Sequence, residues 1–489
     1  MSHSAIALPF RSNRWAALAL VVAAQFMVVL DISIVNVALA TIKSDLHFSE
    51  ASLQWVVSAY AIVFGGFLLL GGRLADLIGR RRVFIAGVAL FTVSSALCGL
   101  AWSSGSLVAF RAIEGLGGAL FAPAGLSLLM TTFREGRDRN LALGIWGAAS
   151  GSGAAVGVLL GGVLTSYLSW PWVFYINVPA GLAIVMLAPR YLSEGVSLLP
   201  HRHFDIAGAT TSTGSLMLLV YALTRATQDG WTSVSTVSLL GLAALLGSLF
   251  VYLELRAEAP LLPFRIFRGS TLATANVITA IIASIAFSQF FLLTLYLQQV
   301  LHYSAAKSGL AFAAIAGTVA VTSNVAQRLV TRFGPRRILA AGLLFAAASE
   351  AWLTRLPVHG HYVPDLLPAF LLIGFGIGVG FVSVTIAGLQ GVSSVDAGIA
   401  SGLVNASRQV GGAIGLAVVS TVATSYAGHI STGVAGATAL THGFRVSFGM
   451  LALLALTGAV LTGAFLRSPR PRPAVAEHVP ALAELEEAA

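Results

Sequence analysis

Apolar runs of about 20 residues recur along this whole chain, and each is long enough to cross a lipid bilayer as a helix. Only 10% of the 489 residues are charged and 57% are hydrophobic, whereas a soluble domain carries about 25% charged residues. The runs therefore predict an all-α integral membrane protein. Fourteen spans are expected, starting near Trp15, Leu53, Val83, Ser106, Asn140, Trp172, Ile206, Val234, Leu272, Lys307, Ile338, Leu366, Asn405 and Val446.

A short charged segment occurs twice between apolar runs. Residues 72–82 (GRLADLIGRRR) lie between spans two and three, and residues 327–337 (QRLVTRFGPRR) lie between spans ten and eleven. The arginine, leucine, glycine and paired arginines align at one spacing, so that Gly79 matches Gly334. The repeat predicts two related six-helix halves with two helices inserted between them. Many transporters with paired halves place the substrate site at the shared interface near the middle of the bilayer.

The predicted organisation has five parts, and its loops are too short to form a domain outside the membrane. The parts are a cytoplasmic N-terminus (1–14), a six-helix half (15–191), two inserted helices with their flanking loops (192–268), a second six-helix half (269–467) and a disordered cytoplasmic tail (468–489). The tail is rich in proline and glutamate, which is typical of disorder.

Arginine supplies nearly all of the positive charge behind the net charge of +9, and it is concentrated in every second loop. This distribution follows the positive-inside rule. We therefore expect a multi-pass protein of the cell inner (plasma) membrane, with both termini in the cytoplasm. Arginines placed this way argue against a nucleic-acid partner, and their excess over lysine indicates a high-GC bacterial genome.

The sequence lacks the signatures of an enzyme or an ATP-driven pump. A nucleotide-binding loop needs glycine before lysine, but Lys43 and Lys307 follow isoleucine and alanine. No HExxH, GxSxG or Cys/His cluster occurs. Cys98 is interpreted as a packing residue, and His359 and His361 as solvated loop residues. We therefore expect no enzymatic activity, no metal site and no cofactor.

Charged residues inside two spans are the strongest functional candidates. Asp31 lies in the first span, and Arg111 lies at comparable depth in span four, with Glu114 one turn away on the same helix face. A charge at this depth costs about 2.5–3.5 kcal/mol on insertion scales, and such residues are usually functional. The alternatives are that Asp31 is a packing residue bonded to Asn36, and that Glu114 forms a fixed ion pair with Arg111.

Six segments, taken in order along the chain, resemble signatures of the major facilitator superfamily, specifically its fourteen-helix drug:proton antiporter branch. They are residues 30–39 (LDISIVNVAL), the turn at 72–82, residues 111–117 (RAIEGLG), residues 153–162 (GAAVGVLLGG), residues 170–179 (WPWVFYINVP) and residues 405–412 (NASRQVGG). Val158 stands where the antiporter motif usually has proline. The resemblance implies Asp31 and Arg111 as proton-coupling residues, to which Glu114 is added from its position.

The resemblance implies a proton-coupled antiporter of the multidrug efflux type. It would export amphipathic, hydrophobic or cationic drugs from the cytoplasm by alternating access, as a monomer in the bilayer, with the proton gradient as its energy source. Two alternatives of the same fold stay open. One is a dedicated exporter of a single endogenous metabolite or antibiotic, and the other is a solute:proton symporter.

The charged turn is interpreted as a cytoplasmic gate motif, against the simpler alternative of a topology signal. Its residues are Gly72, Asp76, Gly79, Arg80, Arg81 and Arg82. Gly79 permits a turn that other residues adopt less easily. Asp76 is expected to cap a helix N-terminus or to pair with an arginine across the interface between the halves. Glu135 and Asp138 are the expected partners of Arg81 or Arg82.

Small residues recur every four positions in span five, at Gly153, Gly157 and Gly161, with Gly162 beside them. Glycines at this period allow helices to approach closely. We expect this antiporter helix motif to form a seam against the other half, with ordinary packing as the alternative. Glycines of span thirteen, at residues 411–415, are expected to mirror it.

The predicted substrate cavity is apolar and aromatic with few polar groups, which favours amphipathic ligands that contain rings. Its candidates are Phe26, Tyr60, Trp146, Gln289, Phe290, Phe381 and Glu350. The alternative for each aromatic residue is a place in the core or against lipid. Glu350 is interpreted either as a second proton site or as a rim group paired with Arg355.

Overall fold

The computed structural model describes residues 13–48, 50–53, 55–133, 136–194, 205–257, 260–267, 271–392, 396–427 and 434–466. Within these ranges the regular structure is helical and no strand occurs. The predicted tail at 468–489 and nearly all of the predicted N-terminal segment lie outside the described residues.

The described helices of the first half run from α1 to α8. They are α1 (Arg14–Asp45), α2 (Glu50–Leu53), α3 (Trp55–Ile78), α4 (Arg80–Gly99), α5 (Ser104–Thr132), α6 (Arg137–Tyr167), α7 (Trp172–Tyr175) and α8 (Asn177–Tyr191). Polar side chains cap the N-termini of several of these helices. Asn13 accepts a hydrogen bond from the Trp15 amide at the start of α1, and Ser103 forms a capping box with Ser106 at the start of α5, which satisfies amides that lack a partner inside the helix.

The inserted pair and the second half follow. They are α9 (Ile206–Asp229), α10 (Val234–Glu254), α11 (Leu272–Leu295), α12 (Ala305–Phe333), α13 (Pro335–Leu353), α14 (Leu367–Leu389), α15 (Ala397–Ala427) and α16 (Val434–Phe465). A π-helical turn extends α11 over Tyr296–Val300, and another precedes α14 over Tyr362–Leu366.

The described chain has a helix at each predicted span position. Within the described ranges, eleven helices are long and apolar enough to cross a membrane, or twelve if the bent helix α6 counts as one span. Neither α13 nor α15 is among them; α13 carries Arg336, Arg337 and Glu350 within its 19 residues. The structure is consistent with fourteen spans, and that number stays a prediction.

Contacts between the two halves run along two seams. In one seam α6 packs against α12 and α14, and in the other α3 packs against α15. The inserted helices α9 and α10 pack on each other, and α9 also contacts α3 and α15. The inserted pair therefore lies beside the seam between α3 and α15.

The two copies of the repeated turn have the same local conformation. Gly79 joins α3 to α4 with φ +118°, and Gly334 joins α12 to α13 with φ +82°. Positive φ strongly favours glycine, so the predicted role of Gly79 in the turn is confirmed.

The glycine motif of α6 does not form the predicted seam with the other half. A Cβ at Gly153 would lie 2.9 Å from the Val29 side chain, and a Cβ at Gly157 or Gly161 would lie 2.8 or 2.9 Å from a backbone oxygen of α1. The motif therefore packs α6 closely against α1 within the first half. The prediction was wrong because a glycine period identifies a helix face that allows close packing but not the helix that packs there.

The seam with the second half uses a different face of α6. A Cβ at Gly144 would meet Gln327 of α12 at 2.7 Å, and one at Gly147 would meet Val382 of α14 at 3.1 Å. The predicted mirror in α15 is present, because a Cβ at Gly415 would lie 2.6 Å from Ser284 of α11. The pair α15 and α11 thus repeats the close packing of α6 on α1.

Helix α6 bends by 40° between Arg137–Ala154 and Val156–Tyr167. The bend occurs although Val158 replaces the proline that is usual in the antiporter motif. The segment before the bend alternates serine and glycine, and Ser150 and Ser152 donate hydrogen bonds to carbonyl oxygens one turn back. Glycine and serine pairs of this kind bend helices without proline.

The last two spans begin earlier than the sequence predicts. Helix α15 starts at Ala397 rather than near Asn405, and α16 starts at Val434 rather than near Val446. Both extensions contain small or polar residues, which lower the hydropathy on which the predicted starts depended.

We predict that Gly157→Ala destabilises the fold, because the new Cβ would lie 2.8 Å from the Leu30 carbonyl oxygen and backbone atoms cannot easily move aside. Overpacking of this kind costs about 1–3 kcal/mol. The measurement is the melting temperature of the detergent-solubilised protein. Gly317→Ala is the matched control, since a Cβ there has no atom within 4 Å. Equal melting temperatures for the two variants would contradict the prediction.

Candidate functional site

A sealed cluster of charged residues joins α1 and α5. Arg111 Nη1 lies 2.7 Å from Asp31 Oδ2 and 2.6 Å from Glu114 Oε2, and these side chains are at most 1% exposed. Arg111 Nε also donates to the Val56 carbonyl oxygen at 3.0 Å. The structure therefore brings together the three predicted proton-coupling residues. Asn36 is not the partner of Asp31, because the Asn36 amide donates to the Ile32 carbonyl oxygen instead.

Uncharged groups complete this cluster. Asn177 Nδ2 donates to Asp31 Oδ1 at 3.3 Å and to Ser95 Oγ at 3.2 Å. The Cys98 thiol donates to Glu114 Oε2 at 3.5 Å. The Tyr60 ring lies 4.4 Å from the Arg111 guanidinium carbon, a favourable cation–π distance. Tyr60, predicted as a cavity residue, thus belongs to the charge cluster in this structure.

Sequence reasoning placed Asn177 in a family motif but did not assign it to this site. Asn177 is 2% exposed. It is the first residue of α8, which follows a break in span six at Ile176. A buried amide beside such a break is the signal that could have identified it, since polar groups at membrane depth need partners.

The charge balance of the cluster fixes what it can do. Two carboxylates and one guanidinium carry a net charge of −1 when all are ionised, and an uncompensated buried charge is costly. The electrically neutral form holds one proton on the pair formed by Asp31 and Glu114, and the two carboxyl groups titrate as a pair. Because arginine keeps its charge, each proton that Asp31 or Glu114 takes up or releases changes the net charge that the helices enclose.

The gate motif lies where α3 crosses α15. Asp76 accepts hydrogen bonds from Arg80, with Nη2 2.9 Å from Oδ1, and its carboxylate lies against Gly398 at the N-terminus of α15. An anionic group at a helix N-terminus is stabilised by the helix dipole. Gly72 packs directly against Gly398. Asp76 therefore lies at a helix N-terminus of the other half, and its capping role stays a prediction. We call the contact of Asp76 and Gly72 with α15 the latch.

The other two arginines of the motif bind a residue that sequence reasoning missed. Arg81 Nε lies 3.0 Å and Arg82 Nε 3.6 Å from Glu194 Oε2, just after α8. Asp138 pairs instead with Arg14 at 2.7 Å, so its predicted pairing with Arg81 or Arg82 is wrong. The other expected partner, Glu135, lies outside the described residues. Glu194 follows an apolar span at its charged end, and that position is the signal that could have identified it.

The inserted pair contributes acidic residues near the latch. Arg73 is 6% exposed and lies within electrostatic range of Glu254 and Asp205, which belong to the inserted segment, as well as Asp76. Glu254 accepts hydrogen bonds from the backbone amides of Leu261 and Leu262 at 3.1 and 3.0 Å. The insertion therefore takes part in the electrostatics of the charged turn.

The predicted cavity residues do not line one common cavity among those described here. Phe26 lines an apolar groove of about 730 Å³. Residues of α1, α6 and α8 line the groove, and Asn177 is one of them. Gln289 lines a separate cavity of about 20 Å³ between α11, α13 and α14.

The remaining aromatic candidates are in the core. Trp146 is 2% exposed and lies 5.5 Å from the guanidinium carbon of Arg408. Phe290 packs on Phe312 with ring centroids 5.4 Å apart, and Phe381 is 6% exposed. These positions agree with the packing alternative in this conformation.

Glu350 is fully buried in α13. Its exposure is 0%, and neither carboxyl oxygen has a hydrogen-bond partner. Arg355 is exposed. The predicted pairing of Glu350 with Arg355 is therefore wrong.

Comparison with known proteins gives close relatives over nearly the whole chain. The sequence profile of the Major Facilitator Superfamily matches residues 21–416. Puromycin resistance protein pur8 of Streptomyces alboniger is 39% identical over 467 residues, covering 93% of this chain and 92% of that protein. Cephamycin export protein CmcT of Amycolatopsis lactamdurans is 39% identical over 475 residues, covering 96% of each.

Solved structures share the fold. The proton:xylose symporter XylE aligns with a TM-score of 0.66 over 94% of this chain and 97% of its own, at 12% identity. The human organic anion transporter MFSD10 aligns with a TM-score of 0.63 over 91% of this chain and 99% of its own, at 16% identity. With a family profile over most of its length and curated relatives that match almost from end to end, the chain belongs to the Major Facilitator Superfamily of membrane transporters.

Proposed function

We propose that the chain is a proton-coupled antiporter that exports amphipathic, largely apolar drugs or antibiotics by alternating access. The observation that carries the proposal is the sealed cluster of Asp31, Arg111 and Glu114, which is neutral only when it holds one proton. The relatives named for puromycin resistance and cephamycin export support outward transport of antibiotics.

In the proposed cycle, proton binding and substrate binding favour different conformations. When the cluster opens to water, the second carboxylate can ionise because water solvates it, and the proton leaves. When the cluster closes again, a proton must return before the charge is buried. The free energy of this exchange can bias two conformations, as charge changes do in other switches. The latch between α3 and α15 would open and close on the side proposed to face the cytoplasm.

The apolar groove supports the proposed class of substrate. Its volume of about 730 Å³ lies within the roughly 300–1,000 Å³ of sites for drug-sized ligands. Asn177 is the one lining residue that also bonds to Asp31. An apolar molecule with a polar end at Asn177 would therefore contact the proton-binding cluster directly.

A dedicated antibiotic exporter is the second candidate function. It is favoured by relatives that are each named for one antibiotic. A resistance profile separates the two: the chain is expressed in a drug-sensitive host and tested against puromycin, a cephamycin and cationic dyes. Resistance to one compound only would favour the dedicated exporter, and resistance across classes would favour multidrug efflux.

The proposal includes the setting in which the transporter works. The chain would act as a monomer in the inner membrane of a bacterium, with both termini in the cytoplasm and the proton gradient as its energy source. The two halves, 15–191 and 269–467, would rock against each other, and the inserted segment 192–268 would stay beside α3 and α15.

We predict that Asp31→Asn abolishes uphill export and leaves the protein folded. The substitution leaves Arg111 and Glu114 as a balanced pair, so that the cluster no longer needs a proton to be neutral. Export of ethidium is measured in inside-out vesicles with an imposed pH gradient. We expect accumulation to fall to the level of empty vesicles, while downhill exchange of the dye continues.

The matched control for this substitution is Asp229→Asn, which removes a carboxylate that pairs with Arg225 at a partly exposed site. Its uphill export should equal that of the unmodified protein. Undiminished accumulation by Asp31→Asn would remove Asp31 from the coupling mechanism.

We predict that Asp76→Asn weakens the latch and shifts the protein toward the conformation in which α3 and α15 are apart. A partly buried anion at a helix N-terminus contributes up to about 2 kcal/mol, and the amide keeps the shape without the charge. Distances between spin labels on α3 and α15, near the latch, report the two populations. Asp138→Asn is the control, because it removes a carboxylate that pairs with the exposed Arg14 and not with a residue of the latch. Identical distance distributions for all three proteins would contradict the prediction.

A further inference from the structure

A carboxyl group is buried in the second half without any partner. Glu350 is 0% exposed, and both of its oxygens are sealed from solvent without a hydrogen bond. An ionised carboxylate in such a place is strongly disfavoured, because neither water nor a counter-charge stabilises it. The group is therefore a neutral, protonated acid in this conformation.

The elements packed against α13 offer no compensating charge close to Glu350. These elements are α14, α16 and α12. Helix α14 has no ionisable side chain along Leu367–Leu389. The charged or titratable groups of α16, α12 and the far end of α13 are His442, Arg445, Lys307, Arg328, Arg332, Arg336 and Arg337. Arg445 donates to the Leu356 carbonyl oxygen at 2.7 Å, and Lys307 lies 3.7 Å from the centre of the Tyr303 ring.

The internal repeat relates Glu350 to the charge cluster of the first half. The separation that aligns Gly79 with Gly334 also aligns Ser95 with Glu350, and no insertion interrupts α4 or α13 between these positions. Ser95 bonds to Asn177, which bonds to Asp31. Glu350 therefore occupies, in the second half, the position that borders the proton-binding cluster in the first.

The same separation aligns Asp31 with Ala286, so the second half has no acid at the position of Asp31 and has one at the position of Ser95. Ala286, Ser349 and Gln289 line the cavity of about 20 Å³ between α11, α13 and α14. This volume is enough for roughly one water molecule, and the serine and amide give it polar partners. The cavity thus lies beside Ser349, the residue that precedes Glu350 in α13.

We propose that Glu350 is a second proton-binding site of this transporter, in the half opposite Asp31. The inference rests on the proposed proton-coupled antiport. Glu350 binds one proton and remains a neutral acid while it is buried. It releases that proton to water, and becomes a carboxylate, only in a conformation that opens the outer part of the second half. One transport cycle then moves a proton at each of two separate sites.

The first test is infrared spectroscopy of the full-length protein in liposomes, which detects the carbonyl stretch of protonated carboxyl groups and needs no substrate. We expect Glu350→Gln to lose one such band at neutral pH, and Glu350→Leu to lose the same band while fitting the apolar surroundings. Asp229→Asn is the matched control. Its carboxylate pairs with Arg225 at a partly exposed site, so its substitution should leave the band unchanged.

The second test counts protons moved per ethidium exported by the same liposomes. We expect the ratio for Glu350→Gln to fall to about half, because intramembrane acids carry protons singly and one of two carriers is lost. Asp229→Asn should keep the original ratio. Asp31→Asn should export no dye uphill.

The outcomes separate this inference from the proposed function. An unchanged infrared band in both Glu350 variants overturns the second site, even if Asp31→Asn is inactive. An unchanged proton ratio overturns its part in transport. If the band is lost but Asp31→Asn still drives uphill export, Glu350 stands as a proton site and the assignment of Asp31 fails. If the unmodified protein exports no ethidium, the proposed substrate class fails and the infrared comparison still decides.

Discussion

The fixed positive charge of Arg111, sealed between two carboxyl groups, is the constraint from which the proposed mechanism follows. A guanidinium cannot lose its proton in a protein, so the number of protons on Asp31 and Glu114 must adjust to it whenever water is excluded. The packed helices exclude water from the cluster: the rings of Tyr60 and Phe174 are centred 4.4 and 5.7 Å from the guanidinium carbon of Arg111. The cluster therefore links its proton content to whether the helices around it are closed.

Helix α3 connects this cluster to the contact between the halves. The Val56 carbonyl oxygen near its start accepts a hydrogen bond from Arg111, and Asp76 near its end lies at the N-terminus of α15. Its 24 residues span roughly 36 Å, so one rigid helix contacts both sites. In the proposed mechanism, this helix would transmit a change in the bonds of Arg111 to the latch. The inserted helix α9 packs on α3 and α15 together, so it must accommodate the same movement.

The sequence predicted the residues whose side chains have a high free-energy cost inside a membrane, and it missed those whose cost is low. Asp31, Arg111 and Glu114 interrupt apolar runs, and few arrangements satisfy them other than one another. Asn177 and Glu194 stand near helix ends, where polar residues are common, so only the fold shows that they bond to Asp31 and to Arg81. The repeated turn predicted two related halves, but the spacing of Gly153, Gly157 and Gly161 could not show that these residues face α1.

The two halves share packing but not chemistry. Glycines press α6 on α1 and α15 on α11 in the same way, yet the second half has alanine at the position of Asp31 and glutamate at the position of Ser95. A carboxyl group beside a permanent cation can stay ionised while it is buried, whereas an isolated one must be neutral. The cluster around Arg111 therefore keeps one carboxylate ionised while it is buried and releases its proton from the second acid when it opens to water. The isolated acid at Glu350 has no counter-charge and stays neutral until the helices of its own half open, so the two halves hold different charges while they are closed.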